Sequence, residues 1–332
     1  MGTRPHRTTI GMIGVATALC LAACGGATGA GEDPSGGGEE AAGGLTPVTI
    51  GAIPTADAAV IELGDRQGFF EEEGLELTID QGASGAAVVP AVVSGEYQAG
   101  FSATLSVFQG AEQGLPLAMI AVANASWGDP DRGQNDIIVN PGQFETAADL
   151  EGESVAVNSL GGYAELLGRA SVEAAGGDPD AVEFVELPLP DQVQALETGN
   201  VSAFVAGEPF GTMALEQGMV SLANTHWDLS PEPFVMGAWF INREAAEADP
   251  ELYGALQRAV ERSLSHAAAH EEELRELTPD FTGISPEVAA VTPLSNFDAE
   301  LTAEGLAPIA DAARRYGMVG SEVDLESLIW RP

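Results

Sequence analysis

The sequence predicts an α/β protein of two lobes, and three observations lead to this prediction. First, residues 48–80 contain an apolar strand, a helix and a second strand in which apolar and polar residues alternate. Second, strand and helix patterns of this kind recur as far as residue 206. Third, an apolar strand at 235–241 follows these repeats and precedes several helices, so we expect the chain to return to its first lobe. Strands joined by a helix predict a right-handed unit with parallel strands.

The first lobe is predicted to contain four strands, at residues 48–53, 75–80, 97–101 and 117–123. The helix after the first strand has apolar residues at Val60, Ile61 and Leu63, which fits helical spacing. Two further helices are predicted to begin at Ser84 and Ser102, with Ser84 as the N-cap of the first. The polar segment at 124–133 contains Gly and Pro and is predicted to be the first crossing between the lobes.

The second lobe repeats this scheme. Its strands are predicted at residues 137–139, 154–157, 182–187 and 201–206, with helices after the second and third. After a second crossing just before residue 235, Asp249 and Pro250 predict the start of a long helix as N-cap and first helical residue. We therefore expect lobe 1 to comprise residues 46–130 and 236–332, and lobe 2 to comprise residues 131–235.

The first 45 residues are predicted to lie outside the fold. Arg4 and Arg7 precede an apolar stretch at 10–21, and Leu-Ala-Ala-Cys ending at Cys24 has the form of a lipoprotein cleavage site. Residues 1–23 are thus predicted to be a signal peptide, with Cys24 as the acylated residue that anchors the chain to a membrane. A plain secretory signal is the alternative. The Gly-rich acidic segment 24–45 is predicted to be a flexible tether.

The chain is strongly acidic. It has a formal net charge of −39 and no lysine, and removal of residues 1–23 leaves 10 of the 12 basic residues against 51 acidic ones, a charge of −41. This charge repels nucleic acid and anionic lipid, so we expect neither as a partner except for membrane attachment through the N-terminal lipid. The acidity indicates a solvated surface, with recruitment of cationic ligands as the alternative.

Three motifs carry a resemblance to a known family. They are residues 67–77 (QGFFEEEGLEL), residues 149–152 (DLEG) and residues 207–210 (GEPF). The chain resembles the solute-binding proteins of nitrate, sulfonate, taurine and thiamine-precursor ABC importers over residues 46–330. The resemblance implies a two-lobed type II periplasmic-binding-protein fold with a hinge, which closes around one small molecule. It also implies permease and ATPase partners, a monomer, and a location on the outer face of the cytoplasmic membrane.

Four loops are predicted at the carboxyl ends of strands, where open α/β sheets bind ligands. They are residues 54–57, 84–86, 102–104 and 159–162. The last three are expected to open helices, so their backbone amides could hold a sulfonate or carboxylate without a basic side chain. No basic residue lies in these loops, and Arg132 in the first crossing is the nearest candidate.

The predicted ligand-binding residues come from these loops, the first crossing, the 207–210 motif and the return strand. Asp57 and Glu208 would suit an amine or a ring N–H better than a bare anion. The aromatic residues Trp127, Tyr163, Phe210 and Trp239 are expected either at the cleft or in the core. The full predicted set is Thr55, Asp57, Ser84, Gly85, Ser102, Thr104, Trp127, Ser159, Gly161, Gly162, Glu208 and Trp239.

No catalytic or metal motif is complete. His266 and His270 stand four residues apart, but they do not form an H-E-x-x-H motif, so we expect an exposed helix face and no metal or cofactor. An enzyme on the same scaffold would need a reactive His or Cys at the cleft, and none lies in the four loops. The sequence therefore predicts a lipid-anchored binding protein, not an enzyme, for a small organic anion. An amine-bearing heteroaromatic such as a thiamine-precursor pyrimidine, or a sensory role without transport, is the alternative.

Overall fold

The computed structural model describes residues 44–82, 85–320 and 323–332. The predicted signal peptide, Cys24, Ser84 and nearly all of the tether lie outside the described residues. Within the described residues there are ten strands, β1 (Thr46–Ala52), β2 (Leu75–Gln81), β3 (Ala99–Ala103), β4 (Leu117–Ala125), β5 (Ile137–Val139), β6 (Ser154–Val157), β7 (Glu183–Glu186), β8 (Ala203–Val205), β9 (Val220–Ala223) and β10 (Val235–Asn242).

Thirteen α-helices lie in the same described residues. They are α1 (Ala59–Arg66), α2 (Phe69–Glu72), α3 (Gly85–Ser94), α4 (Thr104–Glu112), α5 (Tyr163–Ala174), α6 (Leu189–Glu197), α7 (Phe210–Glu216), α8 (Thr225–Leu229), α9 (Arg243–Ala248), α10 (Pro250–Ala269), α11 (Glu271–Thr282), α12 (Pro286–Val291) and α13 (Ala303–Arg315). Over this part of the chain, no helix combines the length and the apolar character needed to cross a membrane.

The strands form two sheets of five strands with the same arrangement. The order of the first is β2-β1-β3-β10-β4 and that of the second is β7-β6-β8-β5-β9. In each sheet three strands are parallel, since β1 pairs in parallel with β2 and β3 while β6 does so with β7 and β8. An antiparallel strand then continues each sheet, β10 in the first and β5 in the second. The predicted two-lobed α/β fold is therefore confirmed.

The chain path explains how the two sheets are connected. Strands β1 to β4 enter the first sheet, β5 to β9 build the second, and β10 then returns to lie between β3 and β4. Two segments, 126–136 and 224–234, join the sheets. A ligand held between the sheets would therefore lie beside a pair of connections, which is the arrangement of a hinge.

Strand β10 packs against core residues on both of its faces. Trp239 is fully buried and packs against Phe101, with 5.4 Å between the ring centroids, in a cluster that includes Leu256 and Val260 of α10. Phe240 points to the other face, where its cluster includes Ile309 of α13. Successive side chains of a strand alternate between its faces, so this strand holds helices to both sides of the sheet.

Helix α10 begins as predicted. The side chain of Asp249 accepts a hydrogen bond from the backbone N–H of Leu252 at 3.1 Å, and Pro250 is the first helical residue. The helix approaches α1 closely at Gly64, where a Cβ atom would lie 1.8 Å from Ser263 Oγ. Glycine is therefore required at position 64 for these two helices to pack.

The structure corrects one local prediction and adds elements that were not predicted. Ser102 does not begin a helix: strand β3 continues through Ala103, which pairs with Gly237 of β10, and α4 begins at Thr104. Strand β9 and helix α8 were not predicted, because the edge strand has only four residues, of which Val220 and Ser221 are exposed. Exposed edge strands lack the apolar run or clean alternation that marks a buried strand in a sequence.

Candidate functional site

A cavity of about 360 Å³ lies between the two sheets. Its walls come from the segments that end or follow β1, β3, β4, β6 and β8, which are the carboxyl ends where α/β sheets bind ligands. The lining residues are Ile53, Thr55, Ala56, Asp57, Phe101, Ser102, Ala103, Ser106, Gln109, Asn124, Gln134, Asn135, Asn158, Ser159, Leu160, Gly161, Gly162, Tyr163, Ala164, Leu189, Val205, Ala206, Gly207, Glu208, Met236, Gly237 and Ser295.

The structure brings most of the predicted site residues to this cavity. The lining includes Thr55, Asp57, Ser102, Ser159, Gly161, Gly162 and Glu208. Tyr163 also lines the cavity, whereas Phe210 packs beside the core of the second sheet. Gly85 is the first residue of α3. Predicted positions in the loops after strands therefore converge, although the strands belong to different sheets.

Three of the predicted residues have structural positions instead. Thr104 is buried, and its hydroxyl lies 3.3 Å from the carbonyl oxygen of Met236, so it ties α4 to β10. Trp127 donates its indole N–H to the carbonyl oxygen of Leu294 at 2.9 Å. Trp239 lies in the core of the first sheet. Their assignment to the cavity wall was wrong, because sequence alone does not separate a cleft aromatic or a polar N-terminal residue from a core one.

Arg132, the nearest basic residue in the sequence, does not line the cavity either. Its guanidinium carbon lies 4.3 Å from the centroid of the Trp127 ring, in cation–π contact, and its Nε atom lies 4.0 Å from Asp129. Among the described residues that line the cavity, none is Lys, Arg or His. The wall therefore carries no side chain that could neutralise a bound anion.

Asp57 is the centre of a polar network at the cavity. Asn124 Nδ2 donates to its carboxylate at 2.5 Å, and Ser295 hydrogen-bonds to the same group. Gln134 Nε2 in turn donates to Ser295 Oγ at 2.9 Å. Burial raises the pKa of Asp57, and the hydrogen bonds from Asn124 and Ser295 act in the opposite direction. A buried carboxylate at this position favours a ligand that supplies positive charge or N–H groups.

The same network leaves two acceptor atoms without partners. The amide nitrogens of Asn124 and Gln134 are used by Asp57 and Ser295, so the side-chain oxygen of each amide remains an acceptor. Within the described chain, Asn124 Oδ1 and Gln134 Oε1 are buried and have no hydrogen-bond partner. Unpaired buried acceptors are costly, and the N–H groups of a ligand would satisfy them.

Glu208 supplies a second carboxylate from the second lobe. Thr212 donates both its backbone N–H, at 3.1 Å, and its hydroxyl, at 2.8 Å, to Glu208 Oε2. Burial, and to a smaller extent the negative charges of Asp136 and Asp57, raise the pKa of Glu208 to about 7 against the effect of these hydrogen bonds. Near neutral pH this carboxyl group is therefore present in both its protonated and its ionised form, and a bound cation would favour the ionised form.

Tyr163 and His226 form a buried pair next to this wall. The tyrosine hydroxyl lies 3.1 Å from His226 Nε2. Burial lowers the pKa of His226 to about 3 and raises the pKa of Tyr163 well above its ordinary value. Both groups are therefore neutral at physiological pH, and the imidazole contributes no positive charge to the cavity.

The turn before α5 does not offer the free amides that the sequence suggested. The N–H of Gly161 donates to Glu165 Oε2 at 2.7 Å, and the N–H of Leu160 donates to Glu186 Oε2 at 3.0 Å. The N–H of Gly162 lies 3.3 Å from the carbonyl oxygen of Ser159. Carboxylates of the chain thus occupy two of these amides and a backbone carbonyl occupies the third, so an anion at this turn would have to use the first-turn amides of α5 instead.

Several cavity residues were missed at the sequence level. The polar ones among them carry amides and hydroxyls: Ser106, Gln109, Asn124, Gln134, Asn135, Asn158 and Ser295. Asn124 could have been predicted to lie at the site, because it is a polar residue near the carboxyl end of an otherwise apolar strand. Ser295 offered none, since it reaches the cavity from a loop far along the chain.

Further hydrogen bonds also connect the two lobes. Glu173 of α5 accepts hydrogen bonds from Arg315 at 2.8 Å and Tyr316 at 2.7 Å, next to α13. Gln109 of α4 donates to the carbonyl oxygen of Gly161 at 2.9 Å. The structure therefore shows the elements that surround the cavity in contact with each other.

A family model described as "NMT1/THI5 like" matches residues 56–274, which include most of both sheets and much of the cavity wall. The chain belongs to the NMT1/THI5-like family. A curated relative of this NMT1/THI5-like chain is the nitrate import ATP-binding protein NrtC of Synechocystis sp., which is 25% identical over 276 residues. That match covers 75% of this chain and 40% of the relative, so the chain spans well under half of the relative's length.

Solved structures share the fold of this NMT1/THI5-like protein. The periplasmic aliphatic sulphonate binding protein SsuA from Escherichia coli has a TM-score of 0.71 at 19% identity, covering 86% of this chain and 92% of that one. The periplasmic nitrate-binding protein NrtA from Synechocystis PCC 6803 has a TM-score of 0.68 at 15% identity, covering 86% and 85%. The desulfurization enzyme DSZB has a TM-score of 0.63 at 14% identity, covering 86% and 96%. These likenesses confirm the predicted type II periplasmic-binding-protein fold.

Proposed function

We propose that this chain is an extracytoplasmic solute-binding protein that holds a small organic solute between its lobes and delivers it to an ABC importer. Membership of the NMT1/THI5-like family, the fold shared with SsuA and NrtA, and a cavity between two joined sheets support this proposal. The proposal includes permease and ATPase subunits as partners, a monomeric chain, and lobes divided at residues 46–130, 131–235 and 236–332. Ligand would favour the closed arrangement of the lobes.

We further propose that the solute carries an amine or a ring N–H. The observation that carries this choice is the pair of buried carboxylates, Asp57 and Glu208, together with the unpaired acceptors of Asn124 and Gln134. An amine-bearing heteroaromatic, such as a thiamine-precursor pyrimidine, could donate to several of these groups while its ring contacts Phe101 or Tyr163. Hydrogen bonds to charged groups contribute about 1.5–3 kcal/mol each, so these carboxylates would dominate selectivity.

An anionic solute, which was the first prediction from the sequence, is the second candidate because of two helices. The N-cap residues Ala103 of α4 and Gly162 of α5 both line the cavity, and neither helix has a side-chain cap. Helix N-termini carry partial positive charge and attract sulfonate or carboxylate groups. A zwitterion such as taurine could place its anionic group there and its ammonium group near Asp57.

Binding is favoured over catalysis by the composition of the wall. Among the described lining residues there is no Cys or His that could act as a nucleophile or general base at the solute, although DSZB shows that the fold can support an enzyme. A sensory lipoprotein would present the same cavity. Permease and ATPase genes next to the gene for this chain would favour transport.

The proposed ligand class can be tested by calorimetry at two pH values. We expect an aminopyrimidine to bind more tightly than nitrate or ethanesulfonate, with taurine separating a zwitterion from a bare anion. We also expect the affinity for an amine that stays protonated throughout to rise between pH 6 and pH 8. The reason is that Glu208 loses its proton as the pH passes its pKa of about 7 and so gains the charge that attracts the cation.

An anion should show the opposite dependence, because ionised Glu208 repels it. Tighter binding of ethanesulfonate than of every amine, with affinity that falls as the pH rises, would overturn the proposed ligand class. Binding of no solute in the panel, when the permease genes are also distant, would count against the transport proposal itself.

We propose that the chain is held at the outer face of the cytoplasmic membrane by lipid on Cys24, which lies outside the described residues. The Leu-Ala-Ala-Cys sequence supports this proposal. Replacing Cys24 by Ala should move the protein from the membrane fraction to the soluble fraction, because two or three acyl chains supply the attachment. Fractionation with acyl labelling measures this, and membrane attachment that survives the change would refute the anchor.

A further inference from the structure

The corner between α10 and α11 gathers three metal-binding side chains outside the cavity. Helix α10 ends at Ala269, and His270 leaves the helical conformation with φ −135° and ψ 53° before α11 begins. This bend brings Glu273 back to His266, with 3.0 Å between Glu273 Oε2 and His266 Nε2. The rings of His266 and His270 stack with 4.1 Å between their centroids.

The three side chains are close enough to share one ion. One potential ligand atom from each of His266, His270 and Glu273 lies within 4.8 Å of the others. Zinc binds imidazole nitrogen and carboxylate oxygen at about 2.0–2.2 Å, so ligand atoms on one ion are roughly 3–4 Å apart. The ligand atoms would have to approach by about 1 Å, and the stacked rings would have to turn so that their lone pairs converge on the ion; His270 is exposed and can make this movement.

Hydrogen bonds already orient these side chains. His270 Nδ1 lies 2.9 Å from the carbonyl oxygen of His266, and since a carbonyl only accepts, this nitrogen carries the proton. The Nε2 atom of His270 is therefore left with its lone pair. Gln67 Nε2 donates to Glu273 Oε2 at 2.9 Å. Metal-binding histidines and carboxylates are commonly held by a second layer of hydrogen bonds of this kind.

The surrounding charges do not oppose a cation. The two arginines in the same surface groove are paired, Arg258 with Glu73 at 2.7 Å and Arg262 with Glu72 at 2.6 Å. The chain as a whole has a formal charge of −39, which attracts divalent cations over long range. The paired arginines therefore add little net positive charge near the corner, and the overall charge of the chain favours a cation.

We propose that His266, His270 and Glu273 form a Zn²⁺ site at the α10–α11 corner. Two imidazoles and one carboxylate suit zinc and leave a fourth position for water. The sequence predicted an exposed helix face because His266 and His270 do not form an H-E-x-x-H motif. In the structure, the bend at His270 brings Glu273 of the next helix beside His266. None of the three residues is among those that line the cavity, so the site is independent of the proposed solute.

The test is calorimetric titration of ZnCl₂ into tag-free protein that has been treated with EDTA and moved to a buffer that does not bind metals. We expect one Zn²⁺ per chain and a higher thermal midpoint with zinc. His270→Ala and Glu273→Gln should each weaken binding by at least about tenfold, because loss of even a supporting group typically costs 10- to 100-fold. Co²⁺ should give the visible absorption of an imidazole-bound ion, and His270→Ala should change it.

Glu272→Gln is the matched control. It removes the same charge from the same turn of α11, at an exposed position, and should bind zinc as the wild type does. Equal losses in Glu272→Gln and Glu273→Gln would mean diffuse attraction to an acidic helix and would overturn the site. Absence of stoichiometric binding to the folded wild type would overturn it as well. Circular dichroism of each variant verifies that the corner changes leave the fold intact.

Discussion

Asp57→Asn should weaken binding of an amine-bearing solute by about 10- to 100-fold, which corresponds to the 1.5–3 kcal/mol of a hydrogen bond to a charged group. The substitution keeps the shape of the side chain but removes the charge at the centre of the network with Asn124 and Ser295. Calorimetry with the tightest-binding amine of the panel measures the effect. Glu216→Gln is the matched control, because Glu216 is an exposed carboxylate at the end of α7.

Glu208→Gln should lower the same affinity and yet stabilise the protein without ligand at high pH. The folded-state pKa of Glu208 is raised to about 7 from 4.5, so its contribution to stability is fully present below pH 4.5 and is lost as the pH rises through 7. Between pH 4.5 and pH 7, the free energy of unfolding of the variant should rise relative to that of the wild type by an amount on the order of 3 kcal/mol. Urea unfolding at pH 5 and pH 8 measures this gain.

These two results together distinguish binding from folding. Lower affinity in a variant of equal or greater stability shows that the carboxylate contacts the solute and does not merely support the cavity. If Asp57→Asn and Glu208→Gln both bind the amine as the wild type does, the carboxylates play no part in recognition. An anion bound more tightly by both variants would instead favour the helix N-termini of α4 and α5.

Trp239→Ala should lower the free energy of unfolding by about 3–5 kcal/mol, the usual cost of truncating a large buried aromatic residue. Trp239 is fully buried between α10 and the first sheet, and its Nε1 atom has no hydrogen-bond partner within the described residues. Trp239→Phe should therefore cost less, since it keeps a ring and removes an unpaired donor. Urea unfolding followed by far-ultraviolet circular dichroism measures both changes.

Trp227→Ala provides the comparison. Trp227 is 39% exposed, so its replacement should lower the free energy of unfolding by less than about 1 kcal/mol. Solute affinity should be unchanged in Trp239→Phe, because Trp239 does not line the cavity. An affinity that falls tenfold in a stable Trp239→Phe variant would restore this residue to the binding site. A cost below 1 kcal/mol for Trp239→Ala would contradict its place in the core.

The features that sequence predicts well here are those with a local cause. Strands β5 and β6 were predicted at their observed bounds, because short apolar runs with β-branched residues are flanked by polar segments. The start of α10 follows from an Asp and a Pro that satisfy the first turn of a helix. Asp57 and Glu208 were predicted from their position after strands, and the topology then brought them to one cavity.

Features with a distant cause escaped prediction. Ser102 belongs to a strand because β10 pairs with it from far along the chain, at Ala238. The amides before α5 are used by Glu165 and Glu186, and only the folded geometry shows which carboxylates reach the turn. Trp239 resembles a cleft aromatic in sequence, but its neighbours are set by the packing of α10. Local chemistry thus predicted which loops meet, and long-range packing decided what each group does there.

The return of β10 between β3 and β4 also fixes the order in which the two sheets can be completed. Every strand of the second sheet lies between Ile137 and Ala223, whereas β4 at the edge of the first sheet pairs with β10. A chain that stops before Val235 can therefore finish the second sheet but not the first. During synthesis or export, the strands of the first lobe emerge first, but this lobe is completed last. The pairing of β10 with β3 and β4 closes a loop of chain that contains the whole of the second sheet.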